Sequence, residues 1–180
     1  MPDGPISIPI PAATLGFLTA VEQSPHGLFG GYLLLNTAGQ PLEFHCTTPV
    51  KATRIQQILY GPTLEPFLYG EQIGATLIKK SELSPLLLVV DRSELLAVRP
   101  HIKLPTALVC TAETYESRGD ETSNMTIGGN RLQLAKHDIE RRQQIVEQLA
   151  VLDASFDLAE PFGRIRAAIE EALRTGAKAA

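Results

Sequence analysis

The sequence predicts a mixed α/β domain, and three observations carry that expectation. From Leu15 to Thr47 the chain reads as apolar, strand-like runs separated by turn formers. After Pro49 the apolar residues recur at three- and four-residue intervals, the spacing that gives a helix one buried face. An uninterrupted apolar run from Leu86 to Val90 then breaks the helical stretch, as an inner strand covered on both faces does. With 180 residues, 44% hydrophobic and 20% charged, the chain has the apolar content to fill one core, so one domain is expected rather than several.

Each element follows from its residues. Leu15 to Glu22 and Leu28 to Leu35 form a hairpin around Gln23-Ser24-Pro25-His26-Gly27. Asn36-Thr37-Ala38-Gly39 turns the chain into a third strand, Leu42 to Thr47, because Gly39 tolerates the left-handed backbone that such a loop needs. Three strands thus make an antiparallel meander. Ala52 to Tyr60 reads as a short helix closed by Gly61 and Pro62, and Thr63 caps a longer one running to about Lys80. Its predicted buried stripe is Leu64, Phe67, Leu68, Ala75 and Ile78, with Glu71 near the middle. Leu86 to Val90 is the fourth strand and Thr106 to Thr111 the fifth. Asp91 and Glu94 have capping-box spacing, which predicts a short helix between those strands and a parallel crossover. A hairpin turning at Asp91-Arg92-Ser93 is the alternative.

Glu113 to Asn130 is polar and glycine-bearing and predicts a mobile loop, at about 113–130. Two amphipathic helices close the chain: Lys136 to Leu152, with Ile139, Val146, Leu149 and Leu152 inward, and Pro161 to Thr175, with Phe162, Ile165, Ile169 and Leu173 inward. Residues 1–12, with Pro2, Pro5, Pro9 and Pro11, are expected to form an extended arm, and 13–180 the single domain.

Composition narrows the function classes. Sixteen Lys plus Arg against 20 Asp plus Glu give a net charge of −4, which supplies no overall positive field for a phosphate backbone. The pairs Arg141/Arg142 and Arg164/Arg166 read as solvated helix faces. No apolar run approaches the ~18 residues of a membrane span, and the first residues lack the pattern of a secretory leader, so a cytoplasmic protein is expected. In that compartment the acceptor pattern Asn124-Met125-Thr126 and the tripeptide Arg118-Gly119-Asp120 are chance. Cys46 and Cys110 sit in apolar runs and are expected as buried thiols. His45 and Cys46 alternate to opposite faces of a strand, so they cannot act as a nucleophile and its base. The cysteines and histidines lack zinc-site spacing, and Gly27, Gly30 and Gly31 precede a strand rather than a helix, the wrong context for a phosphate cradle.

Meander, helix, strand, short helix, strand and terminal helices, in that order, resemble the ribonuclease H-like fold. That fold sets a mixed five-stranded sheet between helices, and its enzymes hold divalent metals with clustered carboxylates. Phe17-Leu18-Thr19 and Gly30-Gly31-Tyr32 look like the first strand and the start of the second. Glu71 matches the carboxylate of the long helix and Asp91 the aspartate that ends the fourth strand, at a separation similar to the family pattern. Asp138, beside His137, looks like the last metal ligand. The family's first-strand aspartate follows the position matched by Thr19. Here that residue is Ala20, and the nearest acid is Glu22.

Two functions follow from the resemblance. One is a nuclease or other phosphodiester-processing enzyme in which Glu71 and Asp91 hold Mg or Mn, Glu22 and Asp138 assist, and a metal-bound water attacks. The other is a non-catalytic domain of the same fold that binds a ligand, a protein partner or nucleic acid, with no membrane role. In it Glu71 pairs with Arg54 or Arg99, Asp91 caps a helix, and Asp138 sits at the positive end of its helix. Ala20 and the acidic balance favour the second. A sensor or scaffold domain of another α+β fold is a third possibility, if Asp91 marks a hairpin.

Overall fold

The computed structural model describes residues 13–111 and 122–176, so the expected arm at 1–12 and residues 113–121 of the expected loop, with the tripeptide Arg118-Gly119-Asp120, lie outside the described residues. Strands β1 (Thr14–Gln23) and β2 (Gly27–Asn36) pair antiparallel from Thr14 opposite Asn36 to Gln23 opposite Gly27. Asn36 then organises the next turn, its Oδ1 accepting the Ala38 and Gln40 amides while Gly39 takes φ 78°. β3 (Pro41–Cys46) adds to β2 at the sheet edge. β4 (Leu87–Val90) lies parallel to β1, and β5 (Thr106–Cys110) parallel to β4. The link between β4 and β5 is a 3-10 helix, Ser93–His101, so the hairpin alternative is excluded and the crossover stands.

The expected loop contains a hairpin instead. β6 (Asn124–Ile127) and β7 (Asn130–Leu134) turn at Gly128-Gly129, and β7 pairs antiparallel with β5. A seven-stranded sheet results, in the order β3-β2-β1-β4-β5-β7-β6, rather than the five strands expected. The segment reads as polar because only one face is covered: Met125, Leu132 and Leu134 are buried while Thr126 and Arg131 face out.

Helices cover both faces. α1 (Arg54–Tyr60) leads to α2, a continuous helical run made of Leu64–Pro66, a π-helical Phe67–Ala75 and Thr76–Lys80. Tyr69, Ile73 and Leu77 of α2, with Leu95 and Val98 of the crossover, pack on Leu18, Tyr32, Leu34, Leu88 and Val90. The stripe therefore differs from the expected one. Leu64, Phe67, Leu68 and Ile78 are only half-buried, because the wider π turn rotates Tyr69, Gly70, Ile73 and Gly74 inward. Glu71 is carried to the outside.

On the opposite face, α3 (Arg142–Leu149), entered through a 3-10 turn at Lys136–Arg141, and α4 (Glu160–Arg174) cover Leu15, Phe17, Leu33, Leu87, Val89 and Leu132. Phe162 meets Phe17 edge to face at 5.7 Å, and Ile165 crosses so close to Gly31 that a Cβ there would lie 2.2 Å away. In the 3-10 turn Asp138, not Ile139, takes the fully buried position, Ile145 joins Leu149 in the core, and Leu173 is exposed. Cys46 and Cys110 are half-buried rather than buried, and no disulfide joins them. Among the described residues no helix is long and apolar enough to cross a membrane.

Candidate binding site at the carboxyl ends of the parallel strands

In sheets with parallel strands, ligands gather beyond the carboxyl ends, where the backbone leaves the sheet and side chains from several strands meet. Here β4 ends at Val90, and Asp91 follows it on the face covered by α4, in phase with Leu87 and Val89. A cleft of about 250 Å³ opens there, lined by Asp91, Val109, Cys110, Thr111, Phe162 and Arg166.

Arg166, one turn along α4 from Phe162, bonds Asp91 Oδ2. The Asp91 side chain is 10% exposed, and its Oδ1 is buried without a hydrogen-bond partner. β1 supplies Thr19, fully buried, its hydroxyl also without a partner. The register Leu18 to Val90 sets Thr19 alongside Asp91, where its hydroxyl acts on the carboxyl's charge. Ala20, the residue matched to the family's aspartate, faces the other way, into the α2 layer.

Burial raises the Asp91 carboxyl above its ordinary range, against the lowering influence of the Thr19 hydroxyl and of Arg166 and Arg92. A carboxyl with a raised folded pKa binds more protons folded than unfolded between the two values, so stability falls as pH rises through that interval. The Asp91→Asn variant lacks this titration. We therefore expect its stability relative to wild type to increase as pH rises from the ordinary aspartate value of 3.8 through the folded one, then to level off. Urea unfolding at a series of pH values checks this, and a difference that does not change with pH would refute it.

The other expected acids are not brought to Asp91. Glu71 sits on α2, across the sheet, with its side chain half exposed and Oε1 3.9 Å from His101 Nε2; it pairs with neither Arg54 nor Arg99. Its expected convergence with Asp91 does not occur, because each rides on a helix layer or strand phase serving the opposite face. Glu22, near the end of β1, is exposed and lines a separate cleft with Lys51 and Leu68. Asp138 is fully buried, with both oxygens on Arg99, at 2.8 Å each, and Oδ2 also accepting the Thr106 amide at 3.0 Å. Nor is Asp91 a helix cap: Arg92 precedes the 3-10 helix, with no side-chain cap bond.

A divalent metal fits this arrangement poorly. Asp91 is already neutralised by a guanidinium, and an ion bound to it would face that charge at close range. On the α2 face Arg92 reaches Ala20 O and Glu94 Oε1, both at 3.4 Å, with its guanidinium 5.4 Å from the Tyr69 ring centroid. Among the described residues no three His, Cys, Asp or Glu side chains come together as metal ligands would. The arginines were visible in the sequence, but nothing there showed which acid each would meet.

No protein-family model matches the sequence, and no curated protein does. Among solved structures, the catalytic domain of human endonuclease V is similar with a TM-score of 0.52 at 14% identity, over 93% of this chain and 85% of that one. Another structure of human endonuclease V gives 0.46 at 11% identity, over 93% and 87%. Endonuclease V of Ciona intestinalis, in complex with DNA containing an inosine, gives 0.36 at 7%, over 71% and 62%. At these identities the likeness speaks to the fold alone, and the fold is ribonuclease H-like.

Proposed function

We propose that this ribonuclease H-like domain has a non-catalytic binding role centred on the cleft at Asp91. The observation that carries the reading is the Asp91–Arg166 pair. Where the nuclease arrangement needs a second carboxylate and a cation, this chain has a threonine on β1 and an arginine from α4. Positive charge is built into the site as a side chain. The orphaned Asp91 Oδ1 and Thr19 Oγ1 favour a ligand, or a partner's side chain, that offers hydrogen-bond donors.

The alternative is a metal-dependent nuclease using Glu71 and Asp91, with Glu22 and Asp138 as helpers. It retains one supporting observation, the placement of Asp91 at the end of β4. Calorimetric titration with magnesium and manganese, paired with cleavage assays on single- and double-stranded DNA and RNA, separates the two. We expect neither heat at millimolar metal nor cleavage that depends on Asp91. Manganese-dependent cleavage by wild type that Asp91→Ala abolishes would overturn the binding reading.

A further inference from the structure

The α2 face of the sheet carries a second cavity, made by the strands added beyond the expected five. β7 extends the sheet past β5, and Gln133, between the buried Leu132 and Leu134 and opposite Leu108, faces the side on which the crossover helix lies. Between the flank of that helix and β7 opens a cavity of about 370 Å³, with Leu96, Ala97 and Pro100 as its apolar wall. Such a space admits a small molecule or one residue of a peptide.

Two features of the lining define what it holds. The Gln133 carboxamide donates from Nε2 to Ser123 Oγ at 3.5 Å, while its Oε1 is buried with no hydrogen-bond partner. A buried acceptor left unpaired is uncommon and calls for a donor. The ionisable lining is all basic: Arg99, Lys136 and His137, with no Asp or Glu among the described residues, in a chain of net charge −4. Asp138 neutralises Arg99, so the exposed Lys136 carries the surplus charge. We propose that this cavity binds a small apolar carboxylate that carries an N–H, the chemistry of an N-acylated amino acid or of a peptide's carboxyl-terminal residue. Its N–H donates to Gln133 Oε1, its carboxylate pairs with Lys136, and its side chain lies on Leu96, Ala97 and Pro100. The cavity is across the sheet from the Asp91 cleft, and the proposal stands apart from the reading of that cleft.

NMR titration of the isotope-labelled full chain with N-acetyl-leucine tests it. The backbone amides of Ala97, Gln133 and Lys136 should shift saturably. N-acetyl-leucinamide, which lacks the charge, and isocaproate, which lacks the N–H, should each bind at least ~10-fold more weakly. Lys136 is exposed, so Lys136→Gln should keep the unfolding midpoint of wild type and lose affinity for N-acetyl-leucine by a similar factor. Gln133→Leu should abolish the preference for N-acetyl-leucine over isocaproate. An alanine pentapeptide ending in leucine identifies the source: tighter binding than N-acetyl-leucine assigns the cavity to a peptide tail, and equal or weaker binding to a free N-acyl amino acid. No saturable shift at millimolar N-acetyl-leucine, equal binding of the acid and the amide, or a Lys136→Gln variant that binds like wild type would each overturn the proposal.

Discussion

Replacing Asp138 by alanine is expected to lower the free energy of unfolding by about 3–5 kcal/mol, because it leaves a guanidinium that is only 14% exposed without its anion. Arg99 donates from Nε and Nη2 to the two Asp138 oxygens and from Nη1 to Ile102 O at 2.7 Å, so its position is fixed by three bonds. Removing the carboxylate also strands the Thr106 amide at the start of β5. Those bonds join the end of the crossover, β5 and the turn into α3. For a domain of this size a loss of that order corresponds to a fall in Tm of roughly 6–20 °C. Asp138→Asn, which keeps the shape and loses the charge, should fall between. The double variant Arg99→Met with Asp138→Leu should recover the part of the loss that comes from the orphaned charge, since two apolar side chains of similar volume remove it, while the Thr106 amide stays unpaired. Urea unfolding of the three variants measures this, and an alanine variant within about 1 kcal/mol of wild type would contradict it. The same geometry says that any effect of Asp138 on ligand binding is transmitted through the fold.

This pair also marks how far the sequence is legible. β1, β2, β3 and β4 follow from local signals, apolar runs bounded by turn formers, because their hydrophobic phase and turn chemistry agree. The β6–β7 hairpin is hidden by its composition: a ribbon with one wet face looks polar, and only Gly128-Gly129 signals the turn. The inward face of α2 is misread by the helical period, since nine residues at π pitch rotate the stripe away from Phe67 and Glu71. Site chemistry is the least legible. Asp91 and Arg166 are 75 residues apart, and whether Thr19 or Ala20 stands beside Asp91 depends on strand phase, where one residue reverses the face. Glu71 and Asp91 are correctly placed on a helix and at a strand end. Their separation comes from layer assignment, which neither residue encodes locally.

Gly70→Ala should cost about 3 kcal/mol, the upper end of the usual penalty for overfilling a packed interior. The reason lies in how α2 meets the crossover. A Cβ at Gly70 would sit 2.5 Å from Ala97 O and 2.8 Å from Ala97 C, and these are backbone atoms that cannot rotate aside. Four residues on, a Cβ at Gly74 would meet Val98 Cβ at 2.9 Å, so the two glycines form one groove in which the 3-10 helix lies. Alanine gains about 1 kcal/mol over glycine in helix propensity, too little to offset the clash. To admit it, Ser93–His101 must shift away from the helix, loosening Leu95 and Val98 from the core and dragging Arg99 against Asp138. Gly163→Ala in α4 is the matched control, because nothing lies within 4 Å of a Cβ there. It should stabilise the protein by up to about 1 kcal/mol through the same propensity difference. Urea unfolding of both variants decides the matter, and equal stability of Gly70→Ala and Gly163→Ala would mean that α2 and the crossover are not in the close contact described.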